Sequence, residues 1–362
     1  MHTILITGAG GGGGNNLIRS LRNSNLDVCI IGTNCLSQAV AKSNADQSFL
    51  LPEASDPRYL PELNRLIHAE SVDLVIPNND RESGFISDNR DAVETRTFMP
   101  DQDAVRLCQD KNRFYAAVSE VGMTVAPTVM VTDLDRLEET MAGLPPSDRY
   151  WVRPRTGSGS KGATWVKTPA QARKWIELWH ELRGFRPTDF QIATFLPGRD
   201  YNVQTIWLDG ELRFLSMVER LAYYGGENRL SGMASTPAIA RTINVPAAIE
   251  NALAIIRHVD PKATGSFNVD MKGSVDGVAN VTEINVGRFP MITTIHDANR
   301  RMNGVETYVR SALGLPFEQD GLEEIEEGWL MLRELDTEPL VIHERELQDF
   351  DAEELRARLS NP

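Results

Sequence analysis

Residues 152–166 read VRPRTGSGSKGATWV, a basic start and a glycine-rich loop set between two strand-like stretches. The loop contains three glycines, two serines and a lysine: Gly157, Gly159, Gly162, Ser158, Ser160 and Lys161. Glycine lets successive backbone N–H groups turn toward an anion, and the resulting concavity favours phosphate. The segment is not a Walker A loop, because no GK[ST] follows at that spacing and the next stretch is strand-like rather than helical. These residues alone support a phosphate-binding loop and a polar hairpin turn equally.

The size and charge of the chain exclude several classes of protein. Its 362 residues suffice for two or three domains, and the net charge of −14 argues against a general nucleic-acid surface. Cys29, Cys35 and Cys108 are too scattered for a disulfide framework. The sequence has no apolar run long enough to cross a bilayer, and residues 1–14 lack the features of a signal peptide. We therefore expect a cytoplasmic protein that binds neither nucleic acid nor membrane.

The first hundred residues alternate short apolar strands with helices. Residues 3–7, 28–31 and 73–77 are predicted strands, and a helix with Leu17, Ile18 and Leu21 on its apolar side follows the first of them. This alternation predicts a parallel, Rossmann-like sheet.

A run of glycine, residues 8–14 (GAGGGGG), follows the first strand and contains GxGxxG. This motif suggests an NAD(P)-dependent oxidoreductase, but a dinucleotide site also needs an acid at the end of the second strand. That position falls in GTNC, residues 32–35, which contains no acid. NAD(P) binding is therefore a minor alternative, and an anion at the helix N-terminus stays open.

Two further segments place charged residues at predicted helix starts. Asp110 is the predicted N-cap of a helix that begins with Lys111. A lysine there opposes the helix dipole, which makes sense if it points at a phosphate; the alternative is an exposed lysine paired with Asp110. PNNDRE, residues 77–82, either binds a ligand at the end of a strand or forms a helix N-cap followed by a favourable first-turn acid, and for Glu82 we favour the second slightly.

A predicted hairpin carries oxygen ligands. Asn268 and Asp270 share one face of residues 265–272, and Glu283 and Asn285 share one face of residues 278–286. If four residues separate Gly273 from Val278 in the closed hairpin, Asn268 faces Glu283 and all four polar groups line one surface; a five-residue loop would split them between faces. Such hard oxygen ligands suit Mg²⁺, and the alternative is a solvated hairpin face.

Taken in order, these motifs resemble the ATP-grasp superfamily. They are Lys111, Arg153 with its glycine-rich loop, the segment FLPGRD at 195–200, and Asp270 followed by Glu283-x-Asn285. The closest resemblance is to one half of the carbamoyl-phosphate synthase large chain, from residue 1 to about 315. It implies an α/β and α+β protein, with a Rossmann-like pre-ATP-grasp domain at 1–100 and a two-lobed ATP-grasp domain at 101–315 (lobes 101–190 and 191–315). Residues 316–362 would form a C-terminal extension, in which 329–335 and 340–343 are candidate paired strands.

The resemblance also implies roles for individual residues. Lys111 and Arg153 would hold the ATP phosphates, and the loop at 157–162 would close over them. Thr194, Phe195 and Leu196 would form the adenine hinge through backbone groups, and Asp200 would bind the ribose hydroxyls. Asp270, Glu283 and Asn285 would coordinate Mg²⁺. Catalytic roles would fall to Lys161 and to Arg288, which would stabilise the transferred phosphoryl group or the substrate carboxylate.

Three positions depart from the family pattern. The hinge usually has Glu where Thr194 stands, and the ribose ligand is usually Glu rather than Asp200. The usual Asn-Pro-Arg reads Asn285-Val286-Gly287-Arg288, one residue longer.

The implied function is an ATP- and Mg²⁺-dependent ligase that joins a small-molecule or peptide carboxylate to an amine through an acyl phosphate. The alternatives are the NAD(P)-dependent oxidoreductase and a non-catalytic ATP-binding subunit. We expect the groups that recognise the acceptor in residues 219–233, which contain Arg220, Tyr223, Tyr224 and Arg229. A homodimer is the expected assembly, because dimers are the commonest state of soluble oligomers.

Overall fold

Three sheets follow one another along the chain. The computed structural model describes residues 1–157, 159–226, 228–297, 303–317, 321–334 and 340–346. The first sheet contains β1 His2–Thr7, β2 Val28–Asn34, β3 Gln47–Leu50, β4 Leu74–Ile76 and β5 Arg96–Thr97, and its helices are α1 Gly12–Arg22, α2 Ser37–Ala41, α3 Tyr59–Ala69 and α4 Asp80–Asp88. All neighbouring strands are parallel, in the order β3-β2-β1-β4-β5. The predicted Rossmann-like sheet is confirmed, and the loops after β1 and β4 lie side by side where the strand order reverses.

The second sheet is antiparallel and carries the glycine-rich loop. Helices α5 Gln102–Gln109 and α6 Lys111–Ser119 precede this sheet in the chain and pack in a different core. The elements of the sheet are β6 Thr128–Met130, α7 Leu137–Ala142, β7 Tyr150–Pro154, β8 Thr164–Val166, α8 Pro169–Arg183 and β9 Phe190–Thr194. The strand order is β6-β9-β7-β8. Val152 and Ile192 pack with Ile176 of α8 in one core, so one face of this sheet is covered by helices. Arg153 alternates with Val152 and faces the other way.

The third sheet is larger and completes the site. It contains β10 Asp200–Leu208, β11 Glu211–Tyr223, β12 Pro237–Thr242, β13 Gly265–Gly273, β14 Ala279–Val286, β15 Trp329–Leu332 and β16 Leu340–His343, with helices α9 Pro246–Val259 and α10 Gly304–Leu313. The order is β14-β13-β10-β11-β12-β15-β16. The predicted pairing of β15 with β16 is confirmed, and it adds the C-terminal segment to the edge of this sheet.

A shared core joins the first and third sheets. Ile4 and Leu17 pack with Ile206 and with Val305 of α10. Phe289, which follows β14, belongs to the same core and donates its N–H to Asn78 Oδ1 just after β4, so the carboxyl end of the parallel sheet lies against the end of β14. The chain passes from the first sheet to the second near residue 100 and from the second to the third near residue 195, close to the predicted domain boundaries. The division into domains stays a prediction.

None of the helices in the described ranges is both long and apolar enough to span a membrane.

Candidate nucleotide and metal site

The β13–β14 hairpin brings the predicted oxygen ligands together through a bulge. The loop holds five residues, 274–278, between paired Gly273 and Ala279, so the five-residue alternative is correct and Asn268 does not face Glu283. In a regular ladder this register would split the polar groups between faces. However, the register shifts between Asp270 and Met271, and Thr282 becomes the extra residue. Asp270 therefore lies opposite Glu283, and Asn268 lies opposite Asn285. Directly opposed side chains share a face, so these polar groups line one surface after all.

Glu283 collects positive charge from two other elements. Lys111, the first residue of α6, places Nζ 3.2 Å from Glu283 Oε2, and Arg153 Nη1 of β7 lies 3.4 Å from the same oxygen. Burial acts to raise the pKa of Glu283, but Lys111, Arg153 and Arg288 outweigh it and lower the pKa to about 2. The alternative pairing of Lys111 with Asp110 is wrong, because Asp110 caps α6 and contacts Arg155.

Asp270 is held by amides and one arginine. Its Oδ1 accepts from Asn202 Nδ2 at 2.9 Å and its Oδ2 from Asn285 Nδ2 at 3.0 Å. Arg220 Nη2 lies 3.0 Å from Oδ1. Burial raises the pKa of the Asp270 carboxyl, the charge of Arg220 acts in the opposite direction, and Glu283 adds to the effect of burial.

The donor set fits Mg²⁺ when phosphate completes it. Asp270, Glu283 and Asn285 offer carboxylate and amide oxygens, the ligands that this ion prefers, usually with substrate phosphates and water. Within the described ranges, no group of three or more His, Cys, Asp or Glu side chains is arranged to hold a metal alone. Asn202 Oδ1 is buried without a hydrogen-bond partner in the same part of the chain. These residues therefore suit a metal that arrives with a nucleotide.

The glycine-rich loop lies over Lys111. Lys111 Nζ donates to the Gly157 carbonyl at 2.8 Å, so one ammonium contacts both the loop and Glu283. Gly157 and Gly159 have φ of +96° and +77°, and Ser160 has φ of +56°. Ser158 lies outside the described residues. Lys161 is exposed, and no ion pair of the described residues includes it. Gly162 is buried against the ring of Pro154.

The predicted hinge follows the end of β9. Thr194, Phe195 and Leu196 run from β9 toward β10, and Thr194 N donates to Pro127 O at 2.9 Å. The Phe195 ring lies 6.5 Å from the ring of Trp151, which precedes Arg153 by two residues on the same face of β7. The hinge and Arg153 therefore border one cleft between the second and third sheets.

Asp200, the predicted ribose ligand, is already hydrogen-bonded within the chain. Its Oδ1 accepts from Arg220 Nε at 2.7 Å, and its Oδ2 accepts from Tyr223 OH at 2.8 Å and Lys272 Nζ at 3.2 Å. A ribose would share this carboxylate with those donors. Arg220 and Tyr223 belong to β11 and contact Asp200, rather than lying on an acceptor loop as we expected from the sequence.

Arg288 links the hairpin to the parallel sheet. Its guanidinium donates to Asp80 at the start of α4 and to the side-chain oxygen of Asn285. The next residue, Phe289, donates its N–H to Asn78 Oδ1 at 3.0 Å. Arg288 thus lies between the predicted metal ligands and the carboxyl end of the first sheet, despite the extra residue before it.

The PNNDRE segment begins helix α4, with Asn79 as its N-cap and Glu82 in its first turn. Asn79 Oδ1 accepts from Glu82 N at 3.0 Å, which confirms the capping interpretation. Glu82 also accepts from Tyr59 OH at 2.9 Å, and burial raises the pKa of its carboxyl.

The end of β2, beside the first glycine run, has no acidic residue that could bind the ribose of a dinucleotide. At the end of β2, Asn34 Nδ2 donates to Ala9 O at 2.8 Å and ties the run to its neighbour.

One residue of the cleft, Gln191, was missed from the sequence. Gln191 lies directly opposite Arg153, is 0% exposed, and has no partner for either amide atom among the described residues. Arg153 Nε likewise lacks a partner there. Strand alternation could have placed Gln191 on this face, but the pairing of β7 with β9 was needed. Arg220 was expected to recognise the acceptor, and its place beside Asp200 depends on the pairing of β10 with β11.

A parallel sheet followed by two antiparallel sheets, with a glycine-rich loop above paired carboxylates, is the ATP-grasp fold that the sequence resembles. A family model for the PylC-like N-terminal domain matches residues 4–98. No curated protein matches the sequence.

Several solved structures share the fold. L-amino acid ligase from Bacillus licheniformis superposes with a TM-score of 0.69 at 12% identity, over 91% of this chain and 78% of that one. N5-carboxyaminoimidazole synthetase from Staphylococcus aureus, complexed with ADP, superposes with a TM-score of 0.70 at 13% identity, over 92% of this chain and 82% of that one. Biotin carboxylase from Campylobacter jejuni, in a β,γ-ATP complex, superposes with a TM-score of 0.68 at 13% identity, over 91% of this chain and 74% of that one. These likenesses confirm the predicted fold class.

Proposed function

We propose that this protein is an ATP- and Mg²⁺-dependent ligase that activates a carboxylate as an acyl phosphate and joins it to an amine. One observation carries the proposal: Lys111 and Arg153, from separate elements, both reach Glu283, which lies opposite Asp270. Phosphate-binding cations and metal-binding oxygens thus meet in one cleft.

Each end of the nucleotide has a proposed partner. Lys111 and Arg153 bind phosphate oxygens, and the free Nε of Arg153 is available for one of them. The loop at 157–162 closes over the phosphates. Backbone groups of residues 194–196 bind adenine, and Asp200 accepts from the ribose. The solved structures with ADP and β,γ-ATP support ATP as the nucleotide.

Mg²⁺ would be held by Asp270, Glu283 and Asn285, and it would neutralise charge on the phosphates. The side chains of the protein then have mainly to position the reacting groups and stabilise the charge that develops, as phosphoryl transfer requires. A carboxylate oxygen attacks the γ-phosphorus, the bond to the β,γ-bridging oxygen breaks, and ADP leaves. The amine then attacks the acyl carbon, loses a proton and displaces phosphate. Arg288 stabilises the developing oxyanion, with Lys161 brought in by closure of the loop.

The substrate carboxylate is proposed to bind beside Arg288, between the end of β14 and the carboxyl end of the first sheet. The fold shared with an L-amino acid ligase supports amino acids as the first substrates to test. A homodimer, a cytoplasmic location and domain boundaries near 100, 190 and 315 stay predictions.

Calorimetry and product release test the proposal. We expect the protein to bind MgATP, and to release ADP when supplied with one pair from a panel of amino acids and small carboxylates. Glu283→Ala should abolish both, while Glu211→Ala, at an exposed end of β11, should change neither. ATP binding without ADP release for any pair would favour a non-catalytic subunit. No ATP binding at all would refute the nucleotide site.

A further inference from the structure

Arg220 touches two carboxylates that serve different ends of the proposed nucleotide. Its side chain is 14% exposed, and its Nε donates to Asp200 Oδ1 at 2.7 Å. Its Nη2 lies 3.0 Å from Asp270 Oδ1 and donates to Tyr201 O at 3.1 Å. One planar guanidinium therefore contacts the proposed ribose ligand and the proposed metal ligand together.

The other donors at these carboxylates each contact one carboxylate. Tyr223 and Lys272 bind Asp200, whereas Asn202 and Asn285 bind Asp270. In the hydrogen bonds and ion pairs of the described residues, Arg220 is the side chain that the two carboxylates have in common.

We propose that Arg220 is a positioning residue that couples metal binding at Asp270 to recognition of the ribose at Asp200. The inference rests on the proposed function. A guanidinium presents donors in a rigid fork, so fixing its position against one carboxylate also fixes the direction of its donors to the other. A lysine ammonium has the same charge but is a compact group on a flexible stem, and it cannot keep both contacts.

Binding of ATP and 2′-deoxy-ATP, each with and without Mg²⁺, tests the coupling. Two ratios are measured by calorimetry on the full chain: the preference for ATP over 2′-deoxy-ATP, and the gain in ATP affinity that Mg²⁺ brings. We expect Arg220→Lys to lower both ratios about tenfold, the scale of one charge-assisted hydrogen bond. Arg220→Gln, a second variant that keeps donors without charge, should lower both as well.

Arg213→Lys is the matched control. Arg213 lies on the same strand and pairs with Glu211, outside the network, and we expect both ratios to stay at the wild-type values. Asp200→Asn should lose the preference for ATP, and adding Arg220→Lys to it should lower that preference little further, because both act through one contact.

The outcomes separate the two proposals. A merely structural Arg220 would lower the melting temperature and weaken ATP and 2′-deoxy-ATP equally, leaving both ratios unchanged; that result overturns the inference while ATP binding by the wild type stands. If the wild type binds no ATP, the proposed function and the inference fall together.

Discussion

The two glycine-rich segments, residues 8–14 and 157–162, look alike in sequence but need glycine for different reasons. In the first, a Cβ on Gly10 would lie 1.7 Å from Ala39 O, and a Cβ on Gly14 would lie 2.2 Å from Gly8 O. In the second, a Cβ on Gly157 would meet nothing within 4 Å, although φ there is +96°. Gly10 and Gly14 are needed because backbones touch there, whereas Gly157 is needed because an open loop turns left-handed.

The difference teaches that glycine content does not identify a ligand loop. The surroundings do: Lys111, held against Glu283, donates to the second segment, whereas Asn34 ties the first to a neighbouring strand. The following predictions test whether the first segment is structural and the second functional.

The largest effect is expected at Gly10. Gly10→Ala places a methyl group in contact with backbone, and we expect the free energy of unfolding to fall by more than about 3 kcal/mol, or folding to fail. Gly157→Ala has room for its methyl group and should cost only about 1–2 kcal/mol for its positive φ. Urea unfolding of both variants measures this, and equal losses would contradict the comparison.

Glu283→Gln should remove the function without removing the fold. Lys111 and Arg153 lose their shared carboxylate, and a proposed metal ligand loses its charge. We expect ADP release to fall about 100-fold or more, the scale of one essential electrostatic group. Circular dichroism should be unchanged. Glu211→Gln is the control, and wild-type activity in Glu283→Gln would show that the second segment does not face a nucleotide.

A smaller effect on activity is expected from Gly157→Ala. The proposed mechanism requires the loop to close, and its Gly157 carbonyl contacts Lys111, so restricting the backbone here should slow ADP release about tenfold beyond what the loss of stability explains. Gly184→Ala, at the end of α8 with a similar φ of +71° and open space, provides the control. The same loss of rate in both variants would mean that the loop has no special role.

Asp297 allows a pH test near the first segment. It accepts from Ser20 and Asn23 of the α1 region, and burial raises the pKa of its carboxyl to about 7. In the unfolded chain the pKa of this carboxyl is about 4. The protonated carboxyl therefore contributes its whole stabilisation below a pH of about 4, and this stabilisation is lost as the pH rises through 7. Asp297→Asn should therefore be more stable than the wild type above pH of about 7, whereas exposed Asp148→Asn should not. Thermal melts of both proteins between pH of about 4 and 8 check this. If the melting temperatures of the wild type and Asp297→Asn change with pH in the same way, the raised pKa is wrongly assigned to Asp297.

The last and smallest expected effect is the response of tryptophan fluorescence to added NADH, which tests whether residues 8–14 bind a dinucleotide. Without an acid after β2, we expect no energy transfer from tryptophan to added NADH. A saturable signal would show that the first segment binds a dinucleotide.

Much of the site was predictable residue by residue. The capping of α6 by Asp110 depends on neighbours along the chain, and it is confirmed. The common face of the four polar hairpin residues came about by a different route, because the loop has five residues and the bulge restores the shared face. Arg220 and Tyr223 were expected to recognise the acceptor, since nothing local shows that their strand pairs with that of Asp200.

The amino-acid sequence by itself determined the order of strands and helices and the supply of lysine, arginine and oxygen ligands, because periodicity and capping act over a few residues. Tertiary structure decided which of these groups meet. The extra residue at Thr282 turns Glu283 toward Asp270, and the register of β10 with β11 brings Arg220 between two carboxylates. Both depend on register between strands, and packing of the whole sheet selects a register where local sequence permits several.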